Sequence, residues 1–290
     1  MREMIGKCAL CYRERELQLS HIIPKFVIRY LKKTSVGNIR RTDNPNKVVQ
    51  DGEKRYLLCK ECEERFNSAE TLFANKVFYP YLKENKEEFE YDKWLHYFIT
   101  SVNWRNLYLD IIDFVKAGDI EIDDLQVLID SEKIMRDYLM KKRNDIGNIK
   151  NHIFFFGDIK EAYKEFKEQN PHVAFSRSEG GYTFYSSKRK TYMSISNLMG
   201  IILITIYRMH REEYWENTEI FNCRGIIRAK NQYIKSIVGQ EFFEWIKEMN
   251  ESQLKLNLHQ KEKIAKNIIE NKEEFINSKM FKQMMKDRKL

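Results

Sequence analysis

Residues 7–26 read KCALCYRERELQLSHIIPKF and begin with a Cys-x2-Cys pair, Cys8 and Cys11. A second pair, Cys59 and Cys62, lies in YLLCKECEERFN at residues 56–67. Two such pairs supply four thiolates, which Zn²⁺ accepts in a tetrahedron without geometric strain. The chain between the pairs must return on itself, and turn residues in TSVGNIRRTDNPNKVVQDGEKRYLL, residues 34–58, predict a hairpin there. The sequence therefore predicts one structural Zn²⁺ on these four cysteines.

A single histidine, His21, follows the first cysteine pair and stands between Ser20 and an apolar run. It could act as a general base that activates a water molecule, or it could be a hydrogen-bonded core residue of a small metal-stabilised fold. The position of His21 between the two cysteine pairs favours the interpretation as a general base. The remaining histidines have no ligand spacing among them, and we interpret them as structural or exposed: His96, His152, His172, His210 and His259.

The positive charge of the chain is concentrated near its start. The net charge is +8, and residues 1–62 hold fourteen Lys or Arg against seven Asp or Glu. Binding to a phosphate backbone requires such a basic module, because each neutralised phosphate releases counterions. A solvated charged surface is the alternative interpretation. The candidate nucleic-acid-binding residues are Arg29, Lys32, Lys33, Arg40, Arg41, Lys54 and Arg55.

The composition, with 42% hydrophobic and 32% charged residues, is typical of a soluble globular protein and excludes a disordered one. Charged residues precede any apolar run, and the longest apolar stretch, residues 198–207, is far below the roughly 20 residues that span a bilayer. Paired cysteines in a chain without an export signal indicate metal thiolates more than disulfides. We therefore expect a cytoplasmic protein without a membrane partner.

The organisation of the chain changes near Pro80. Helical spacing of apolar residues predicts a helix over residues 59–82 that Pro80 ends, and a second helix that Gly118 ends. A third helix is predicted from Ile122 to Lys142. We predict two domains: a zinc-binding module at residues 1–82 and a larger domain of unknown role at residues 83–290.

The larger domain combines strand and helix signals. Strands are predicted at HIFFFGDI, HVAFSRS, GGYTFYSS, KTYMSIS and MGIILITIY, with a helix at DIKEAYKEFKEQN between the first two. From about Gly239 the sequence predicts charged amphipathic helices. The predicted fold class is therefore α+β, with a small zinc-bound module followed by a mixed helical and β-containing domain.

The strings SHIIPKF and YLLCKECEERFN resemble the HNH endonuclease family, over about residues 5–80. The resemblance implies a treble-clef module of the ββα-metal type with a structural zinc. It also implies that His21 is the general base and that Glu63 lies where the family usually has a metal ligand. The implied reaction is hydrolysis of phosphodiester bonds in DNA with Mg²⁺ or Mn²⁺, in a bacterial restriction or anti-phage protein.

Two positions depart from the family pattern: Ser20 replaces the acidic residue that precedes the base, and Lys54 replaces the middle Asn. Oxygen ligands could come instead from Glu63, Asn67 and Glu70, which lie at i, i+4 and i+7 on one helical face that could point at His21. A solvated amphipathic face would have the same pattern. The alternative function is a non-catalytic zinc module that binds nucleic acid or a protein partner. In either case the chain could bind a protein partner or form a homodimer.

Overall fold

The computed structural model describes residues 4–157 and 164–290, and it shows the mixed α+β protein that the sequence predicts. The first part of the chain forms a three-stranded antiparallel sheet in the order β1-β2-β5, a two-stranded ladder of β3 with β4, and helices that pack against them. Its elements are β1 (Ile5–Lys7), β2 (Glu14–His21), α1 (Lys25–Lys33), β3 (Ile39–Arg40), β4 (Val48–Val49), β5 (Lys54–Cys59), α2 (Lys60–Phe73), a π-helical segment (Ala74–Phe78) and α3 (Tyr79–Glu84).

The second part of the chain places long helices against an antiparallel sheet. Its elements up to the sheet are β6 (Glu88–Tyr91), α4 (Lys93–Ala117), α5 (Ile122–Leu139), β7 (Lys150–Phe155), α6 (Lys164–Lys167), α7 (Pro171–Ser176), β8 (Glu179–Ser186), β9 (Thr191–Leu198) and β10 (Ile201–Arg208). The remaining elements are β11 (Tyr214–Glu216), β12 (Glu219–Ile220), β13 (Gly225–Arg228), β14 (Tyr233–Lys235), α8 (Val238–Leu254), α9 (Leu258–Glu270), α10 (Lys272–Asn277) and α11 (Lys279–Asp287).

Helix α4 lies between the two parts and packs on a five-stranded sheet of order β12-β7-β10-β9-β8. Strands β9 and β10 are buried along almost their whole length, as expected for strands covered on both faces. Polar side chains also fix the helix on the sheet: the Asn103 amide donates to Thr205 Oγ1 at 2.8 Å and accepts from Ser196 Oγ at 2.6 Å. These buried bonds set the rotation of α4, and Arg105, two residues after Asn103, contacts Glu70 of α2.

The hydrophobic core crosses the predicted domain boundary at residue 82. One cluster joins Val27 and Phe73 to Phe98 and Leu203. A second joins the buried cysteines and Phe66 of the first part to apolar side chains of α4 and α5. The boundary itself stays a prediction, and the stability of each part depends on contacts with the other.

The helix predicted over residues 59–82 does not end at Pro80. After α2 the backbone changes to a π-helical turn, in which the N–H of Tyr79 bonds the Ala74 carbonyl, and then continues as α3 to Glu84. Pro80 lies in the first turn of α3, where a residue without an N–H is tolerated. The helix ends where Asn85 adopts a left-handed conformation with φ 53°.

Other predicted elements are confirmed in part. The hairpin over residues 34–58 is limited to β3 and β4, because β5 pairs instead with β2 and so brings the second cysteine pair beside the first. Helix α4 ends at Gly118 as predicted, whereas α5 ends at Leu139, before Lys142. The run HVAFSRS forms α7 and not a strand. Residues 158–163, part of the helix predicted at DIKEAYKEFKEQN, lie outside the described residues.

The C-terminal helices predicted from about Gly239 are present as α8 to α11. Asp287 of α11 accepts backbone N–H bonds from His172 and Val173, both at 2.9 Å, and so caps the start of α7. Within residues 4–157 and 164–290, no helix has both the length and the apolar character needed to cross a bilayer.

Candidate functional site

The four paired cysteines meet at one point of the fold. Cys8 and Cys11 lie in the turn between β1 and β2, Cys59 ends β5, and Cys62 lies in the first turn of α2. Their sulfur atoms all lie within 4.8 Å of one another, and the Sγ atoms of Cys11 and Cys59 are 3.9 Å apart. Thiolates placed about 2.3 Å from a tetrahedral Zn²⁺ are separated by about 3.8 Å. The cluster could therefore hold a structural metal such as Zn²⁺.

The backbone around the cluster is arranged for thiolates. Tyr12, with φ 61°, closes a turn in which its N–H bonds the Cys8 carbonyl at 2.8 Å, and the Cys59 N–H points at Cys8 Sγ at 3.3 Å. The hydrogen bond from Cys62 holds the pKa of the Cys8 thiol below its usual range, whereas the same bond raises the pKa of Cys62 and burial raises that of Cys59. A thiolate is the form of cysteine that binds metal.

A cleft of about 460 Å³ opens beside this cluster, between the end of β2, the start of α1 and the first turns of α2. Its lining includes His21 from the last position of β2, together with Glu63, Asn67 and Glu70 from α2. The helical spacing i, i+4 and i+7 accounts for the shared face of the three α2 residues. The structure thus brings the four predicted catalytic side chains to one cleft.

His21 is held by a residue that the sequence interpretation missed, Asp51. The Nε2 atom of His21 lies 3.0 Å from Asp51 Oδ1, and the Asp51 carboxylate also accepts bonds from Lys54 Nζ at 2.9 Å and from the Gly52 N–H at 3.0 Å. Partial burial acts to raise the pKa of Asp51, but the bonds from Lys54 and His21 outweigh it and hold that pKa below its usual range. Asp51 is therefore an ionised acceptor at neutral pH.

The Asp51 contact determines which ring nitrogen of His21 carries a proton. A carboxylate accepts hydrogen bonds and does not donate them, so Nε2 is protonated in this contact, and in a neutral ring the lone pair is then on Nδ1. The side chain of His21 is 14% exposed, and the residue lines the cleft. In the sequence, Asp51-Gly52 reads only as a turn, because the pairing of β2 with β5 that brings it to His21 is a long-range contact.

The serine that directly precedes His21, Ser20, contacts the helix carboxylate of Glu63. Ser20 is buried, and its hydroxyl donates to Glu63 Oε2 at 2.7 Å. This bond positions the Glu63 side chain at the cleft. Ser20 therefore affects the cleft by holding the Glu63 side chain in position.

The third carboxylate, Glu70, is paired with a buried arginine from the second part of the chain. Its Oε1 atom lies 2.6 Å from Arg105 Nη2, and the Arg105 side chain is 1% exposed. The guanidinium also lies 4.8 Å from the ring centroid of Phe66. Glu70 thus balances a buried charge, a role that the spacing along α2 does not reveal.

Replacing Glu70 by alanine is expected to lower the free energy of unfolding by about 3–5 kcal/mol, because it leaves the buried Arg105 guanidinium without its counter-charge. Urea unfolding followed by circular dichroism measures the change. The matched control is Glu64→Ala. Glu64 is an exposed carboxylate on the same cleft and has no buried partner among the described residues, so the free energy of unfolding of this variant should stay within about 0.5 kcal/mol of wild type. Equal effects of both substitutions would contradict the structural role of Glu70.

The predicted nucleic-acid-binding residues occupy different environments. Arg29 and Lys33 are exposed on α1, and Lys32 on the same helix donates to the Gln50 carbonyl at 2.7 Å. Arg40 donates to the Pro45 carbonyl and to Gln260 Oε1, both at 2.7 Å. The other three form ion pairs: Arg41 with Asp43, Lys54 with Asp51 and Arg55 with Glu53.

Two lysines that were not among the predicted binding residues line the cleft, Lys25 at the start of α1 and Lys60 at the start of α2. Both residues line the same cleft as the candidate catalytic side chains, whereas Arg41 and Arg55 are paired with neighbouring carboxylates. A sequence signal for Lys25 was present, since it directly follows the HIIP string.

In the part of the chain that the structure describes, the cysteine cluster is the one group of three or more His, Cys, Asp or Glu side chains whose ligand atoms lie close enough together for an ion. The cleft carboxylates do not converge in this way. Comparisons with family models, with curated proteins and with solved structures find no match to the chain. Its function must therefore be inferred from the residues themselves.

Proposed function

We propose that the protein is a metal-dependent endonuclease of the HNH type that hydrolyses phosphodiester bonds in DNA. The observation that carries the proposal is His21 on an open cleft, with Asp51 bound to one ring nitrogen and with Glu63 and Asn67 on the same cleft. The four cysteines lie in the β1–β2 turn, at the end of β5 and at the start of α2, and their cluster supports a structural metal such as Zn²⁺ as part of this proposal.

The protein groups can perform the proton transfer that the reaction needs. With its Nε2 proton bound to Asp51, the His21 ring can accept a proton at Nδ1 from the attacking water, and the Asp51 carboxylate then stabilises the imidazolium that forms. Lys25 and Lys60 offset the charge that develops on the phosphate.

The cleft also fits a hard divalent cation. Mg²⁺ is commonly held by one or two carboxylates and by the substrate phosphate, with waters in its other positions, so a preassembled group of three acidic ligands is not required. Glu63 and Asn67 would hold the ion, while Glu70 is engaged with Arg105. When bound, the cation would polarise the phosphate and stabilise the leaving oxygen.

A second candidate function is a zinc module that binds nucleic acid without cleaving it. Three polar groups near the cleft favour this binding module over a nuclease, because each already bonds another protein group and so is less free to take part in catalysis. The pairs are Ser20 with Glu63, Lys54 with Asp51, and Glu70 with Arg105. In such a protein the exposed cations of α1 and the cleft lysines would contact the phosphate backbone.

A nicking assay separates the two functions. Protein purified with its zinc retained is incubated with supercoiled plasmid, without added divalent ion and then with Mg²⁺ or Mn²⁺. A nuclease should nick the plasmid only after the addition, while its measured zinc content stays constant, so the structural metal does not confound the result. Single-stranded DNA and RNA are tested in parallel. Retarded migration of DNA in a gel, without cleavage of any substrate under these conditions, would favour the binding module.

A further inference from the structure

A cluster of positive charges lies where α11 packs against α1 and α3, apart from the residues of the cleft. Lys279 of α11 donates from Nζ to the Tyr30 hydroxyl at 2.7 Å and to the Leu82 carbonyl, and its Nζ lies 5.0 Å from the Tyr30 ring centroid. Two of its three N–H groups are therefore used within the protein. Among the described residues, no further hydrogen bond of this ammonium group is present, so its third N–H can bind another acceptor.

Three further cations surround Lys279. The Lys83 Nζ lies 4.4 Å from the Tyr79 ring centroid and 5.8 Å from that of Tyr30. Lys282 is one helical turn further along α11, and it acts on Lys279 electrostatically, as do Lys83 and Arg177.

The fourth cation, Arg177, is fixed in place by neutral acceptors. Its guanidinium donates to Ser35 Oγ at 2.6 Å and to Thr34 Oγ1 at 3.0 Å, both at the end of α1. These bonds engage both terminal nitrogen atoms of the guanidinium, and neither acceptor carries a charge that would compensate it.

Within residues 4–157 and 164–290, no carboxylate pairs with the cations of this cluster. Among the described residues, none of the four cations forms an ion pair, and no acidic group contributes to the electrostatic environment of Lys279. Burial and the neighbouring cations lower the pKa of Lys279 to about 8, and burial lowers that of Arg177 to about 10. Four unpaired cations held together by a folded surface favour a bound anion.

We propose that this cluster is a phosphate-binding site formed by Lys83, Lys279, Lys282 and Arg177. The ligand would be a phosphate group, either of a small free phosphate compound or of a nucleic acid backbone. Helix α1 connects the cluster to the cleft, because Lys25 lines the cleft and Tyr30 lies about 7.5 Å further along the helix. A strand that enters the cleft could therefore reach both places, although the site does not require that His21 be catalytic.

The test compares two double variants with the same change in net charge. Lys83→Gln with Lys282→Gln removes two exposed cations of the cluster, while Lys279 and Arg177, which make structural bonds, stay in place. Lys133→Gln with Lys188→Gln, two exposed lysines on α5 and on the turn between β8 and β9, is the control. Calorimetry measures the binding of pyrophosphate, and fluorescence anisotropy measures the binding of a DNA duplex across a salt series, both without divalent ions.

The two ligands identify the source of the phosphate. A loss of about tenfold in pyrophosphate affinity, in the cluster variant only, would support a site for free phosphate compounds. A loss of DNA affinity in the cluster variant only, with a salt slope reduced by about 0.9 for each lost phosphate contact, would support a backbone contact. Equal losses in both variants, or no binding of either ligand to the wild type, would overturn the proposal. Plasmid nicking plays no part in this result, so the two proposals can fail separately.

Discussion

Cys59→Ser is expected to release the structural metal and unfold the first part of the chain. Binding of Zn²⁺ to structural sites contributes about 10–16 kcal/mol in zinc-finger peptides, which matches or exceeds the total stability of about 5–15 kcal/mol of a typical domain. The loss of structure should extend into the second part of the chain, because Cys59 belongs to a buried cluster that includes Trp104 and Leu107 of α4. We therefore expect α4 to lose part of its packing as well.

Elemental analysis and circular dichroism measure the two effects of Cys59→Ser. The matched control is Cys223→Ser, since Cys223 is an exposed cysteine outside the cluster and its replacement should change neither metal content nor stability. Wild-type protein that contains no metal when purified without a chelator would contradict the metal site. Retention of full stability by Cys59→Ser would show that the thiolates do not hold the fold together.

The second large effect concerns His21. If His21 is the general base, His21→Ala should lower the rate of metal-dependent cleavage by about 10² to 10⁴, the usual contribution of a positioned proton acceptor. Metal content and thermal stability should stay close to wild type, because the side chain lies at a cleft and makes its one described hydrogen bond to Asp51. His259→Ala, at an exposed histidine of α9, is the control and should leave the rate unchanged.

Asp51→Asn extends this test to the residue that positions His21. The substitution preserves the shape of the side chain but removes the charge that stabilises the imidazolium, so cleavage should fall less than in His21→Ala. Because the pKa of Asp51 is held below its usual value, its contribution to stability is present above about pH 4 and is lost as the pH falls further. The stability difference between wild type and Asp51→Asn should therefore shrink at acidic pH.

A structural His21 predicts a different pattern. His21→Ala would then destabilise the fold by about 1–3 kcal/mol, through an unsatisfied partner and a small cavity, and any activity would fall only in proportion. Such a result, together with unchanged cleavage by Asp51→Asn, would rule out His21 as the base.

The sequence by itself determined the features that depend on local spacing. The two Cys-x2-Cys pairs predicted the cysteine cluster, because each knuckle positions its two thiolates within a few residues. The apolar stripe of α4 and the stop at Gly118 followed from helical periodicity and from the left-handed conformation that glycine adopts there, with φ 71°. The shared face of Glu63, Asn67 and Glu70 has the same origin.

Only the tertiary structure decided the features that join distant residues. The pairing of β2 with β5 brings Asp51 to His21, and the packing of α4 on α2 gives Glu70 the buried partner Arg105. The run HVAFSRS, in which Val173 and Phe175 favour a strand, becomes helical where Asp287 of α11 caps it from more than a hundred residues away. Local propensities amount to fractions of a kcal/mol per residue, and a single long-range cap or buried ion pair outweighs them.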